Sequence, residues 1–319
     1  MKSAEKRHIS RVKNLSIYST RITSARKGND MKVRKAVIPA AGLGTRMLPA
    51  AKAVPKEMMP IVDMPAIQYL VEEAVASGIE EILIITNRGK EAIENYFDFS
   101  PEYEARLEAS GKTAVLENLH RIANLANITF IRQKEAKGLG HAVYKAKSFV
   151  GDEPFVVLYG DDIIESDVPT SKKMIELYEK YSLPVVGVQE VSREQIKKYC
   201  TMDAKKIDDK VYAVKNMIEK PREDQIITQL AILGRVLLTP DIFDILEKTA
   251  PGAGGEIQLT DAMAQIARTK GVIAYEFDGM RHDMGSKLGF LIANCCLGIK
   301  NKEVGDDFRA WLKDFAAKL

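Results

Sequence analysis

The chain has 319 residues, 46% of them apolar and 29% charged, a balance that suits a soluble folded protein and argues against wholesale disorder. A formal net charge of +3 is too small to imply nucleic-acid binding, and no apolar run approaches the roughly 20 residues that span a bilayer. Three cysteines, Cys200, Cys295 and Cys296, form no disulfide framework and point to a reducing, cytoplasmic setting.

Residues 1–30 carry eight Lys or Arg and two acids. They are Ser-rich, poor in large apolar residues and without a signal-peptide apolar region. This reads as a basic, disordered extension, or as a start placed too early with Met31 the natural first residue. A transit peptide and a functional basic arm are the other readings. Residues 31–319 read as one domain.

After Met31, strand-length apolar runs alternate with helix-length amphipathic segments. The runs predict strands at 36–40, 82–86, 128–132, 155–159, 185–191, 211–219, 230–238 and 272–277. Behind Pro65, the spacing of Ile67, Leu70, Val71, Ala74 and Val75 predicts a helix that Gly78 closes. Further helices are expected near 102–126, 139–149, 170–181, 240–248, 256–269, 286–300 and 306–317. The alternation predicts an α/β fold. Its Rossmann-like, mostly parallel mixed sheet is flanked by helices and followed by a helical C-terminal end.

The first strand runs into Ala40-Ala41-Gly42-Leu43-Gly44-Thr45-Arg46. A glycine turn at this place can set backbone N–H groups against phosphates. It is not a dinucleotide fingerprint, because Met47 stands where a third glycine belongs, and no Gly-Lys-Ser/Thr follows. Arg46 and Lys56 flank a stretch broken by Pro49 and Pro55, which prevents an uninterrupted helix and suggests a fixed loop. Either cation alone would read as solvated surface charge. Two on a loop beside a glycine turn suit a polyphosphate.

Gly42-Leu43-Gly44-Thr45-Arg46, then Pro55-Lys56-Glu57-Met58 and Pro60-Ile61-Val62-Asp63, resemble the signature of the sugar-1-phosphate nucleotidylyltransferases, in particular the bacterial-type UTP–glucose-1-phosphate uridylyltransferases. The resemblance runs from Val33 to about Leu319. It implies transfer of a uridylyl group from UTP to glucose 1-phosphate, giving UDP-glucose and pyrophosphate. It also implies Mg²⁺ as cofactor, a homodimer or homotetramer, and no membrane or nucleic-acid partner.

The resemblance places the nucleotide on Ala40, Ala41, Gly42 and Gly44, with Arg46 and Lys56 on the triphosphate. Gln133 and Gly138 would recognise the uracil; a Gln amide offers the donor and acceptor that reading a pyrimidine edge requires. His141 reads as a polar helix-start residue rather than a catalytic base. Asp161 and Asp162 end a buried strand, where open α/β sheets place ligands. The resemblance assigns Asp161 to the metal, with Asp283 as second ligand, and Asp162 to the sugar side. Glu219 would hold the sugar and Lys220 its phosphate, making Lys220 catalytic beside Arg46 and Lys56. The loop from Pro251 to Asp261 also matches, with no role assigned.

Three departures fall on the sugar side. Cys200 stands where the family has a glycine against the sugar, Gln229 where it has Asn, and Val236 where many members have Tyr. They leave open a sister enzyme with a different base or sugar. A catalytically idle regulatory homologue would have lost the loop Arg or the metal Asp, and both are present. A nicotinamide-dependent oxidoreductase lacks support without the third glycine.

Overall fold

The computed structural model describes residues 32–319; the extension expected at 1–30 lies outside the described residues. Strand β1 (Lys35–Pro39) buries Ala36, Val37 and Ile38 completely, as suits a strand covered on both faces. It lies between β4 (Glu81–Thr86) and β6 (Phe155–Leu158), both parallel to it. β5 (Asn127–Arg132) extends the β4 side. The strands β8 (Val185–Glu190), β9 (Cys200–Asp208), β10 (Val211–Glu219), β11 (Leu230–Leu238) and β12 (Val272–Glu276) complete a nine-stranded sheet. Its order is β5-β4-β1-β6-β11-β8-β12-β10-β9. Within it only β10 and β11 run against the other strands. The sheet is therefore mixed and mostly parallel, as the alternation predicts.

Side chains alternate across each strand, and the core divides accordingly. Val37, Leu83, Phe155 and Val157 join one cluster. Its helices are α5 (Leu139–Tyr144), α6 (Lys147–Val150), α8 (Ile242–Leu246) and α9 (Leu259–Thr269). Ile38, Ile82, Ile84 and Val156 face the other way. There they meet α1 (Ala66–Ala76), α2 (Glu91–Phe97) and α7 (Thr170–Tyr181). The α1 residues Ile67, Leu70, Val71 and Ala74 are all buried there, as their spacing predicts. The chain closes with α10 (Lys287–Gly298) and α11 (Gly305–Ala316).

Two expected helices are interrupted. Gly111, at φ 68°, separates α3 (Pro101–Ala109) from α4 (Thr113–Ala123), and 139–149 divides into α5 and α6. The prolines at 49–60 leave three short 3₁₀ turns and a two-residue pair, β2 (Pro60–Ile61) with β3 (Met64–Pro65). Strand β9 escapes the pattern reading, because its outer half, Lys205 to Asp208, is exposed and charged. A second small pair joins β7 (Asp162–Glu165) to β13 (Met280–Asp283), antiparallel and in register Asp162 to Asp283.

One buried ion pair ties the layers. Arg235, on β11, is closed to solvent and grips Glu73 of α1, with Nη2 at 2.6 Å from Oε2. It also donates to the Asp162 carbonyl at 2.8 Å. Burial pushes the Glu73 carboxyl up, but Arg235 and Ser171 outweigh it and hold it below its ordinary range. Beside Arg235, Gly234 sits at φ 78° in a break of the β11–β8 register. A side chain there would start 2.7 Å from the Asp162 Cβ.

Candidate active site

The sheet order changes direction at β1. The chain passes from β1 outward to β4 and β5, then returns to lay β6 on the opposite flank. Such a switch point opens a crevice beyond the strand C-termini. The residues that follow β1 are the glycine loop, and those that follow β6 are Tyr159, Gly160 and Asp161. Between them lies a cavity of about 440 Å³. Ala41, Gly42, Gly44, Lys56, Gln133, Gly138 and Asp161 all line it, so most of the sequence's nucleotide candidates share it with the first metal candidate.

Gly44 adopts φ 64°, the left-handed region that favours glycine. Gly138, at φ 100°, has no room for a side chain: one would begin 2.7 Å from Glu256 Cβ and 2.8 Å from Ile257 O. Gln133 is buried and donates from Nε2 to the Gly138 carbonyl at 3.2 Å. Its Nε2 also lies 2.9 Å from His141 Nδ1. The loop between α8 and α9 docks here, with Ile257 N donating to Lys137 O at 2.8 Å and Gly140 N to Ile257 O at 2.9 Å. That is the structural work of the 251–261 motif, and it brings Glu256 to the cavity wall. Sequence reasoning found the motif but not this contact.

Asp161 and Asp283 meet through the β7–β13 pair. Met284 N donates to the Asp161 carbonyl at 2.8 Å, and Gly285 N to Asp283 Oδ1 at 2.9 Å. A Cβ on Gly285 would fall 2.4 Å from Asp161 Oδ2, 2.8 Å from Arg46 Nη2 and 3.0 Å from Asp283 Oδ1. The missing side chain leaves a cradle between two carboxylates and an arginine. Lys56 Nζ lies 2.5 Å from Asp161 Oδ2, and Arg46 Nη1 4.0 Å from Asp283 Oδ2. Burial pushes the Asp161 carboxyl up, but Lys56 and Arg46 outweigh it and hold it below its ordinary range. It is thus ionised at neutral pH, the form a metal ion requires. Two carboxylates with open space between them fit Mg²⁺, which takes one or two carboxylates and completes its shell with substrate phosphates and water. Among the described residues, no cluster of three or more His, Cys, Asp or Glu offers a closed protein cage.

The sugar-side candidates are arranged less openly. The β9–β10 hairpin folds back to the start of β11, where Thr201 Oγ1 donates to Thr228 O and accepts from Ile227 N and Thr228 N. Glu219 pairs in register with Cys200. Burial pushes the Glu219 carboxyl up, against a Thr260 hydrogen bond and the Lys220 charge. Burial also raises the Tyr159 hydroxyl, and Glu219, Cys200 and Asp162 add to that. Tyr159, unassigned from sequence, lines the cavity. Lys220 is exposed, at φ 45°, and its N–H donates to Tyr199 O at 2.7 Å.

Ala40, Arg46, Asp162, Cys200, Glu219, Lys220 and Asp283 are not among the residues that line the cavity, and Cys200 and Asp162 are buried in other contacts. Cys200 is 2% exposed and packs in the core with Met202, Met217 and Ile232. Asp162 is buried and lies 2.6 Å from Arg281 Nη2. Arg281 in turn stacks over the Tyr199 ring at 5.3 Å and donates to its hydroxyl at 3.0 Å.

A family model for nucleotidyl transferases matches residues 35–298, from β1 through α10. The chain belongs to that family. The matched stretch takes in every candidate site residue of this nucleotidyl transferase. A UTP–glucose-1-phosphate uridylyltransferase of Bacillus subtilis is 50% identical over 287 residues, covering 90% of this chain and 98% of that one. A second such enzyme, of Staphylococcus saprophyticus, is 51% identical over 282 residues, 88% of this chain and 98% of its own. Among solved structures, a UDP-glucose pyrophosphorylase complexed with UDP-glucose superposes with a TM-score of 0.77 at 42% identity, covering 84% of this chain and all of that one. A UTP-bound UGPase from Acinetobacter baumannii does so with 0.82 at 38% identity, over 88% and 98%.

Proposed function

We propose that this nucleotidyl transferase moves a uridylyl group from UTP to glucose 1-phosphate, releasing pyrophosphate and forming UDP-glucose. The observation that carries this is the shared cavity: Gln133 and Gly138, suited to a pyrimidine edge, line the same walls as the glycine loop, Lys56 and Asp161. Relatives named for this reaction align over nearly their whole length.

A phosphate oxygen of glucose 1-phosphate attacks the α-phosphorus of UTP. As that P–O bond forms, the bond to the bridging oxygen breaks and pyrophosphate leaves. The attacking oxygen is already ionised at neutral pH, so no general base is required. Catalysis rests on positioning and charge neutralisation. The glycine-loop amides, Arg46 and Lys56 hold the triphosphate, Lys220 the incoming phosphate, and Glu219 the hexose. Asp161 and Asp283 would hold Mg²⁺, which would supply charge neutralisation at the α-phosphoryl group.

The burial of Cys200 in the core supports an unaltered hexose pocket. Free thiols on all three cysteines suit a reducing cytoplasm. No described helix is long and apolar enough to cross a membrane. Exposed Leu288, Leu291 and Ile292 on α10 with Trp311 and Phe315 on α11 support assembly into a homo-oligomer.

The test is pyrophosphate release with glucose 1-phosphate and each nucleoside triphosphate, with Mg²⁺ and with chelator. Turnover with UTP that chelation abolishes is expected. Preference for another triphosphate, or no turnover with any pair, overturns the reading.

A further inference from the structure

Directly behind the glycine loop sits a buried ion pair that the reaction chemistry leaves unused. Glu57 and Lys90 are both buried. Lys90 Nζ lies 2.8 Å from Glu57 Oε2 and 3.0 Å from Oε1. It also donates to the backbone carbonyl of Ala40. Asn87 donates through Nδ2 to the carbonyl of Ala41. Both donors come from the loop between β4 and α2.

These carbonyls belong to the first two residues after β1. The peptides are trans, the one cis bond among the described residues being Leu48-Pro49. In a trans peptide the C=O and the following N–H point opposite ways. Holding the Ala40 and Ala41 carbonyls toward Lys90 and Asn87 turns the N–H groups of Ala41 and Gly42 away from them. Ala41 and Gly42 line the cavity.

Burial disfavours both charges of the pair, raising the Glu57 carboxyl and lowering the Lys90 amine. A buried pair is a weak source of stability compared with well-packed apolar residues. This one instead fixes a direction. Glu57 also reaches the end of β6: a side chain on Gly160 would begin 2.8 Å from Pro39 O and 3.3 Å from Glu57 Cγ. Its neighbour Lys56, on the same turn, sits on Asp161. The pair therefore joins the glycine loop, the Lys56 turn and the end of β6 that leads into Asp161.

We propose that Lys90, held by Glu57 and acting with Asn87, is a positioning residue that sets the direction of the Ala41 and Gly42 amides and thereby the affinity for the nucleoside triphosphate. This rests on the uridylyl-transfer reading.

The experiment compares wild type, Lys90→Met and the double variant Glu57→Gln/Lys90→Met, by calorimetric UTP binding well below their melting temperatures and by thermal melting. Lys90→Met leaves an uncompensated buried carboxylate and should melt lower. The double variant removes that charge and should recover most of the loss. UTP affinity should nevertheless stay weaker by about tenfold or more in both variants, as expected when a charge-assisted hydrogen bond is lost. Recovery of UTP affinity in the double variant to within about twofold would overturn the proposal and leave Lys90 only a partner for Glu57. Wild type that binds no UTP would overturn the functional reading, and this proposal with it.

Discussion

Gly285 stands against Asp161 so closely that even a methyl group would meet the carboxylate, 2.4 Å from Oδ2. The same methyl would press on Arg46 and Asp283. Gly285 does not occupy the left-handed region, so alanine there is a steric change and not a backbone one. Gly285→Ala should fold normally and lose Mn²⁺ or Mg²⁺ binding, with kcat/KM down by about 10²-fold or more. Calorimetric metal titration of the folded variant checks this. Undiminished metal affinity would mean that the two carboxylates do not share an ion.

The Arg235–Glu73 pair makes a stability prediction. Removing one partner leaves the other charge buried, so Arg235→Met should cost about 3–5 kcal/mol. Arg235→Met with Glu73→Leu should recover most of it, since paired apolar replacement is often neutral. Denaturant midpoints of the three proteins decide the matter. A single variant as stable as wild type would show that solvent reaches Glu73.

Cys200 should be silent to thiol reagents in the native protein. Burial raises its thiol to about 12, and the thiolate is the reactive form. Mass spectrometry after alkylation at about pH 8 should find Cys200 unlabelled until the chain is unfolded. Cys200→Gly should destabilise by about 1–2 kcal/mol through lost burial and strand entropy. It should leave KM for glucose 1-phosphate within about twofold. A large fall in that KM would put the sulfur in the sugar pocket.

Asp162 sets a pH dependence. Burial raises its pKa to about 6; Arg281 opposes the shift, and Asp161 and Asp283 add to it. The unfolded value lies near 3.9. A folded pKa above the unfolded one favours the folded state fully below the lower value, and the advantage is lost as pH rises through the upper one. At most about 3 kcal/mol is involved. Urea unfolding of wild type and Asp162→Asn at about pH 4.5 and 8 should show wild type gaining on the variant at the lower pH. Equal differences at both pH values would show that Arg281 holds Asp162 ionised throughout.

The strand ladder and the glycine loop were legible in the sequence because their signals are local. Buried strands read as short apolar runs, and the loop is marked by Gly42, Gly44 and the prolines after it. What stayed hidden depends on contacts across the fold. The 251–261 loop matters through its docking on Gly138, a contact that no spacing encodes. β9 hides because half of it is an exposed, charged edge. Asp162 reads as an available ligand from sequence, yet the Arg281 side chain, from a strand far down the chain, pairs with it. Cys200 reads as an intrusion into a pocket, but the hairpin's fold turns it into the core.

The β7–β13 pairing also bears on how the protein is made. The glycine loop and Lys56 come early in the chain and Asp161 lies at its middle, whereas Asp283 and Gly285 follow much later. During synthesis the cleft waits for the 251–261 loop, which docks beside Gly138 and carries Glu256 to its wall, and its second carboxylate waits until β13 has left the ribosome. A fragment ending before Met280 would keep the glycine loop and lack Asp283 and Gly285. On the uridylyl-transfer reading, turnover would wait for β13, whereas nucleotide capture would wait only for the 251–261 loop.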